Sequence, residues 1–490
     1  MRISVTRVLL LLVTLALLAL FFKTGKRTHN EDITKKRQVV TDNKKEETEV
    51  KYMRVTTSVK AVEHIRQDSG KPDLENVTTA VEAVEHIKHD SEKPDLENVT
   101  TAVEAVEHIK HDSEKLDLED VYKTRRDRIT KMCAANKSKY IGRNNKKDTL
   151  SRILIDKRQR LAYCAIQKSA STFWKRVFRI VKGESSANSP FDRSVMASLS
   201  RSDSFLHMPA YQRIPFAENA LSFLFVREPY GRLFSGYVDK IFSPNVMFWT
   251  SYTPFGVKYV RKNPSRKDLH CAHDLTFKEF VKLVLHYDKS DYKRNGHFTP
   301  QYEHCDICLY KYDIIGKLET LSNDTIYLLN RMGKTRLRKS LETDFHGQTV
   351  DDTIRDQAGM LVGFRERYKS CGVSFYKAQK LMWKKFQIRG IISKNSKYPI
   401  SREKSETVTK EMFEELLYRG IGDAKDRSVS KKNKEEAMLE AFSTVDKEDM
   451  EALSKIFEQD CELFGYDCRP SKLFNIERHI EPWYFDVNTA

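Results

Sequence analysis

The distribution of apolar and polar positions divides the chain into three regimes. Val8 to Phe22 is apolar except for Thr14, flanked by Arg2 and Arg7 before it and by Lys23, Lys26 and Arg27 after it. Residues 24–60 are rich in Lys, Glu, Thr and Asp and poor in large apolar side chains. From about 130 the chain alternates short apolar runs with stretches of helical periodicity. Leu161 to Ile166 is a compact apolar run that reads as a buried strand. It is followed by a small, hydroxyl-rich segment, Gln167 to Thr172, and then by Phe173, Trp174, Val177, Phe178 and Val181 at helical spacing. The unit recurs later. Ser222 to Val226 reads as a second buried strand, Arg227 stands at its end, and Pro229 opens a helix whose face is Leu233, Tyr237 and Ile241. Strand, tight polar turn and helix, repeated, predict an α/β domain with a central parallel sheet flanked by helices.

The amino-terminal run of fifteen residues would extend roughly 22 Å as a helix, short of a ~30 Å hydrocarbon core. With flanking residues it can span a thinner membrane. No Ala-x-Ala cleavage site stands at its boundary, so we read 8–22 as an uncleaved signal anchor behind a short tail, 1–7. Residues 23–129 read as a stem, within which a 22-residue unit repeats three times, at 62–83, 84–105 and 106–127. The first two copies differ only at Arg66/Lys88, Gln67/His89 and Gly70/Glu92; the third has Leu116 where the second has Pro94, and Asp120 where it has Asn98. The unit is charged and interrupted by Pro72 and Pro94, so it predicts a low-order spacer and not a packed solenoid.

Composition adds a partner class. Lys plus Arg total 86 against 69 Asp plus Glu, a net charge of +17. Such a balance suits a polyanion. All eight cysteines lie from Cys133 onward, an even number that permits disulfides. Cys305 and Cys308 lack a second Cys-x-x-Cys to complete a zinc site, and no metal-ligand cluster is evident. Asn76, Asn98, Asn136 and Asn323 head glycosylation sequons, which matter only in a lumenal domain.

The two turns carry the candidate chemistry. A helix opening near Ser171 aims free backbone N–H groups at an anion. Lys168 adds a mobile charge, and Ser169, Ser171 and Thr172 add hydroxyls. The Walker glycine-lysine pattern is absent, which argues against a nucleotide kinase or other P-loop enzyme. In the second turn Arg227 and Ser235, eight residues apart, can converge on one phosphate, which the planar arginine fork fits. Together the turns suit a nucleotide with phosphates at both ends.

These two segments, in this order, resemble the Golgi carbohydrate sulfotransferases, most of all the group of chondroitin, dermatan and N-acetylgalactosamine 4-O-sulfotransferases and the natural-killer-epitope sulfotransferase. Val226-Arg-Glu-Pro-Tyr-Gly-Arg-Leu-Phe-Ser-Gly-Tyr237 follows the family's Val-Arg-Glu-Pro-Phe-x-Arg-Leu-x-Ser-x-Tyr closely. Gln167-Lys-Ser-Ala-Ser-Thr-Phe-Trp-Lys175 follows its Pro-Lys-Val-Ala-Cys/Ser-Thr-x-Trp-Lys, with Gln167 and Ser169 as departures. His297-Phe-Thr-Pro-Gln301 with Cys305-x-x-Cys308, Tyr312 to Thr320, and Ile456 to Tyr466 resemble three further family stretches. The resemblance implies a P-loop-like sulfotransferase fold over 130–470 and 3′-phosphoadenosine 5′-phosphosulfate (PAPS) as sulfate donor. It implies a donor site of Gln167, Lys168, Ser169, Ala170, Ser171, Thr172 and Phe173 at the 5′ end, and of Arg227, Glu228, Pro229, Arg232 and Ser235 at the 3′ end. It also implies a glycan acceptor, an anionic glycosaminoglycan or glycoprotein glycan, with no nucleic-acid partner and a Golgi membrane location of type II topology. Sulfuryl transfer needs charge stabilisation, assigned to Lys168, and a base, for which His297 and His207 are the candidates. The alternative to an active enzyme is an inactive glycan-binding relative, kept open by Gln167. Residues 333–445 read as an insertion with helices at Val362–Phe386 and Lys410–Leu417. The tail, 471–490, carries an aromatic stretch, Ile480 to Phe485, with no assigned role.

Overall fold

The structure, a computed structural model, describes residues 118–143, 146–195, 203–290, 294–476 and 480–490. The expected anchor at 8–22, the repeats at 62–83 and 84–105, and sequons Asn76 and Asn98 lie outside the described residues. No helix among the described residues is long and apolar enough to cross a membrane.

The folded unit runs from Asp120 to Ala490. It therefore starts ahead of the expected boundary at 130, within the third repeat. The reason is visible in the first helix, α1, over 118–135. Its Tyr122 is fully buried and donates to Asp324 Oδ1 at 2.7 Å. Arg125 pairs with Asp324 at 3.0 Å and donates to the Ile315 carbonyl at 2.7 Å. Composition alone could not separate this docked helix from the charged stem before it.

Four strands form the sheet: β1 (Ile153–Asp156), β2 (Leu161–Cys164), β3 (Leu221–Val226) and β4 (Ile314–Lys317), in that spatial order. β2, β3 and β4 are parallel, and β1 is antiparallel to β2. The central sheet is thus small and mixed at one edge. Side chains alternate between its faces. Tyr163, Phe223 and Phe225 point to one face, where they stack with Trp174 of α2 (Ser171–Lys182); ring centroids of Tyr163 and Phe223 lie 4.8 Å apart, as do those of Trp174 and Phe225. Gly316 on β4 makes room for this layer, since a Cβ there would sit 2.3 Å from Phe225. Ile153, Ile155, Cys164, Leu224, Val226 and Ile315 pack on the opposite face with Phe205, Met208 and Tyr310.

After β3 the chain forms α3 (Pro229–Tyr237), which continues without a break into a π turn, Val238–Phe242. The larger core surrounds α3 and takes in α4 (Phe277–Ser290), α5 (Phe345–Gly363), α6 (Phe375–Ile388) and α7 (Arg427–Ser443). The region expected as an insertion supplies these last three helices. The single helix expected at Val362–Phe386 is interrupted. Gly372 takes the left-handed conformation (φ 63°), Cys371 is bonded to Cys271, and the Ser374 side chain caps a new helix by accepting from Lys377 N. The tail has a role after all. The backbone N–H groups of Trp483, Tyr484 and Phe485 donate to the buried Glu440 carboxylate on α7.

All eight cysteines are paired, as Cys133–Cys308, Cys164–Cys305, Cys271–Cys371 and Cys461–Cys468. Cys305 and Cys308 therefore join two different elements, the end of β2 and α1, and do not bond each other.

Candidate functional site

The turn after β2 is held in an unusual backbone shape. Lys168 and Ala170 both have positive φ, 67° and 59°. Each such non-glycine residue costs about 1–2 kcal/mol, and strain of this kind concentrates at functional sites. These two left-handed residues flank Ser169, whose own N–H donates to the Ile166 carbonyl at 3.3 Å. α2 opens directly after Ala170, and no side chain caps it. Its first N–H groups, at Ser171, Thr172 and Phe173, are therefore available to a ligand. Phe173 packs its ring against Phe191 and Phe345. Gln167 contributes its carbonyl to Arg232, as described below, while its side-chain Oε1 is buried without a hydrogen-bond partner.

The Lys168 ammonium binds Asp239 Oδ2 at 2.9 Å. Asp239 sits on the π turn, a backbone form common at functional sites. Its other oxygen takes the fully buried Lys385 of α6 at 2.7 Å, and Lys240 stands 3.1 Å away. Burial would raise the Asp239 pKa, but Lys168, Lys385 and Lys240 hold it well below the usual carboxylate range. Three lysines around one carboxylate leave a surplus of positive charge. Burial, assisted by Lys240 and Lys385, brings Lys168 down to about 8 despite Asp239. This is an electropositive, partly desolvated pocket of the kind that stabilises a transferring anionic group.

At the second turn Glu228 and Pro229 are helix-forming residues. The Glu228 carboxylate accepts from Tyr230 N at 2.9 Å and Gly231 N at 2.5 Å, and Pro229 occupies the first helical position. Arg232, expected to touch the donor, is turned inward instead. It is 2 % exposed, and its guanidinium donates to the carbonyls of Gln167 (2.9 Å), Thr299 (2.7 Å) and Gly296 (2.8 Å). It cannot also serve a phosphate; it clamps the first turn to the 296–299 loop. The Arg227 guanidinium, by contrast, lies over the first turn of α3 and makes no hydrogen bond or ion pair among the described residues. Burial lowers its pKa, against the attraction of Glu319 and Glu228. Ser235 lies two turns along α3, half-buried.

Gln301, which sequence reasoning placed in a motif without giving it a role, joins the two turns. It is fully buried. Its Oε1 accepts from Arg227 N at 2.8 Å and from Ser169 Oγ at 3.2 Å, and its Nε2 donates to Arg227 O at 2.7 Å. Asp460 in turn accepts from Gln301 N and Tyr302 N, both at 2.8 Å. Glu319 accepts from Glu228 N at 2.8 Å and from Tyr466 Oη at 3.0 Å. One network thus gathers all five stretches quoted from the sequence. Spacing could not show this, because bonded partners lie up to 159 residues apart in the chain.

Of the two candidate bases, the structure brings only His297 to the Lys168 cluster. Its ring stands edge-on to Phe248 at 5.5 Å, and Lys240 lies 5.5 Å over the Phe248 ring. Burial, then Lys240 and Lys168, lower its pKa to about 3, so it is neutral near pH 7. Asn295 Oδ1 lies 2.7 Å from His297 Nδ1 and also accepts from His297 N. This assigns the proton to Nδ1 and leaves Nε2, which has no partner among the described residues, as the basic atom. His207 is exposed at the end of the turn Phe205–His207 on the opposite sheet face, with no hydrogen bond to the cluster among the described residues. Asn136 and Asn323 are exposed. Among the described residues no group of His, Cys, Asp and Glu could hold a metal ion.

An α/β fold with two polar turns, each carrying a cation, at the carboxyl ends of adjacent parallel strands has the architecture in which α/β proteins bind ligands. Comparison narrows it: residues 151–357 match the sulfotransferase family model. Carbohydrate sulfotransferase 11 of Rattus norvegicus is 30% identical over 223 residues, 44% of this chain and 62% of that protein. Carbohydrate sulfotransferase 8 of Homo sapiens is 29% identical over 214 residues, 42% and 49% respectively. Carbohydrate sulfotransferase 14 of Danio rerio is 31% identical over 189 residues, 38% and 50%. The chain thus spans less than two-thirds of the length of these relatives. No solved structure matches.

Proposed function

We propose that this protein moves a sulfuryl group from PAPS to a hydroxyl of a glycan, a glycosaminoglycan or N-acetylgalactosamine-containing chain. The observation that carries the reading is the pair of turns at the ends of β2 and β3, each with a cation and both tied to Gln301. The donor set fits two phosphate-type groups: an uncapped helix start with Lys168, and the unpaired guanidinium of Arg227 with Ser235. In this reading Lys168 exchanges Asp239 for the donor's 5′ phosphosulfate and stabilises charge developing on the leaving oxygen. The acceptor oxygen attacks sulfur in line, the bond from sulfur to the bridging phosphate oxygen breaks, and 3′-phosphoadenosine 5′-phosphate departs. The acceptor proton passes to His297 Nε2. Asp239 holds Lys168 and Lys385 in place, and Arg232 and Gln301 keep the turns in register. The net charge of +17 supports an anionic glycan partner. The apolar run at 8–22, the paired cysteines and the exposed sequons support a Golgi-membrane protein with a lumenal catalytic domain.

The test is transfer of radiolabelled sulfate from PAPS by the detergent-solubilised full chain. Chondroitin, dermatan, desulfated heparin and N-acetylgalactosamine-terminated glycans are offered in parallel. Label in one polymer, lost in Lys168→Ala and Arg227→Ala, is the expected result. Label retained in both variants overturns the site, and absence of nucleotide binding by the folded chain overturns the reaction.

A further inference from the structure

The matched segment ends at residue 357, yet two helices beyond it reach the site. Along α6, Lys385 binds Asp239 beside the first turn. Arg389, one helical turn further at the C-cap, lies on the same side. At Gly390 the chain adopts φ 60° and presses against α7. Ser430 Oγ donates to the Gly390 carbonyl at 2.6 Å, and a Cβ on Gly390 would meet Ser430 O at 2.2 Å. Lys434 follows Ser430 by one turn of α7, and α7 also packs against α3, whose first turn carries the Arg227 guanidinium. Three cationic side chains from three elements therefore lie within electrostatic reach of one another. None of the three side chains makes a hydrogen bond or ion pair among the described residues. The charges acting on Lys434 are all positive, from Arg389, Arg227 and Arg427. The carboxylates near Arg227 are already engaged, Glu228 as a helix cap and Glu319 by Glu228 N and Tyr466. Arg389 also feels Asp239, Asp356 and Asp352, but each of these carboxylates is held by other groups: Asp239 by Lys168 and Lys385, Asp352 by Arg176, and Asp356 by the Gln357 amide. Cations without a dedicated counter-ion favour a bound anion.

We propose that Arg389 and Lys434 form the outer wall of the Arg227 pocket and bind the 3′-phosphate of the nucleotide. This rests on the donor reading given above. It makes α6 a bridge across the donor site, with Lys385 at its 5′ end and Arg389 at its 3′ end. It also gives the helices after residue 357 a direct part in donor selection.

The experiment measures binding of adenosine 3′,5′-bisphosphate and of adenosine 5′-monophosphate to the full chain by calorimetry. Wild type is compared with Arg227→Ala, Arg389→Ala, Arg389→Lys and Lys434→Ala, each checked for an unchanged thermal midpoint. Arg389→Ala should bind the bisphosphate about tenfold more weakly and Lys434→Ala severalfold more weakly, with monophosphate binding unchanged. Arg389→Lys should recover part of the loss. If both alanine variants keep the wild-type preference for the bisphosphate, or weaken both nucleotides alike, the proposal is overturned while the donor reading stands. A loss confined to one residue removes the other from the pocket. If wild type shows no preference for the bisphosphate and Arg227→Ala changes nothing, the donor reading itself fails.

Discussion

Asp239 shows how much one side chain can organise. It faces Lys168 and Lys385 at once, and Lys385 is only 1% exposed. Asp239→Asn would leave that buried ammonium without its counter-ion, and we expect a stability loss of about 3 kcal/mol, read from denaturant unfolding. Its depressed pKa means the wild-type carboxylate contributes stability above the unfolded Asp range. That contribution is lost as the pH falls through the folded value, so the stability gap between wild type and Asp239→Asn should narrow on acidification. In the proposed mechanism Lys168 and His297 would set the pH dependence of turnover. Lys168 would act as an ammonium, and burial brings its pKa down to about 8. kcat/KM should therefore fall as the pH rises through about 8. His297, lowered to about 3, stays unprotonated through the mildly acidic range, so no acidic limb should appear near pH 6. A limb there would assign the base to another group. His297→Ala should lower kcat by about 10²-fold or more, whereas His207→Ala should leave it unchanged.

At the scale of elements, the site depends on close approaches. The end of α6 approaches α7 closely because glycine at 390 allows a left-handed residue with no Cβ against Ser430. Gly390→Ala should cost about 1–2 kcal/mol from backbone strain alone, and more because α7 must move. A lowered thermal midpoint together with weaker donor binding is the expected outcome; a neutral effect would show that α6 and α7 are not held this tightly. The strands and their following helices were legible from sequence. The apolar runs at 161–166 and 222–226 and the helical spacing from Phe173 reflect burial on two sides and on one side respectively. The break between α5 and α6 was not, because a single left-handed glycine at 372 and a Ser374 cap outweigh a periodicity that continues across them.

For the whole molecule, the disulfides carry the longest-range constraints. Cys133–Cys308, Cys164–Cys305 and Cys271–Cys371 close loops of 175, 141 and 100 residues. Replacing Cys271 and Cys371 together by serine should cost roughly 2–5 kcal/mol. Peptide mapping under non-reducing conditions should recover the four pairs and no Cys305–Cys308 bond. The Cys-x-x-Cys spacing carried no pairing information, because the partners are brought near only when β2 and α1 converge on the 305–308 loop.

Sequence alone therefore determined what is local. The two polar turns, the strands feeding them, the family resemblance and the cations Lys168 and Arg227 all lie within short contiguous segments whose chemistry is set by neighbours in the chain. Tertiary structure decided the rest. It turned Arg232 from a donor contact into a buried clamp, separated His297 from His207, made Gln301 the link between turns, and brought Asp239, Lys385, Arg389 and Lys434 to the site. Those assignments depend on which groups share a desolvated space, and hydrogen bonds and charge interactions across tens to hundreds of residues leave no periodic trace in the sequence.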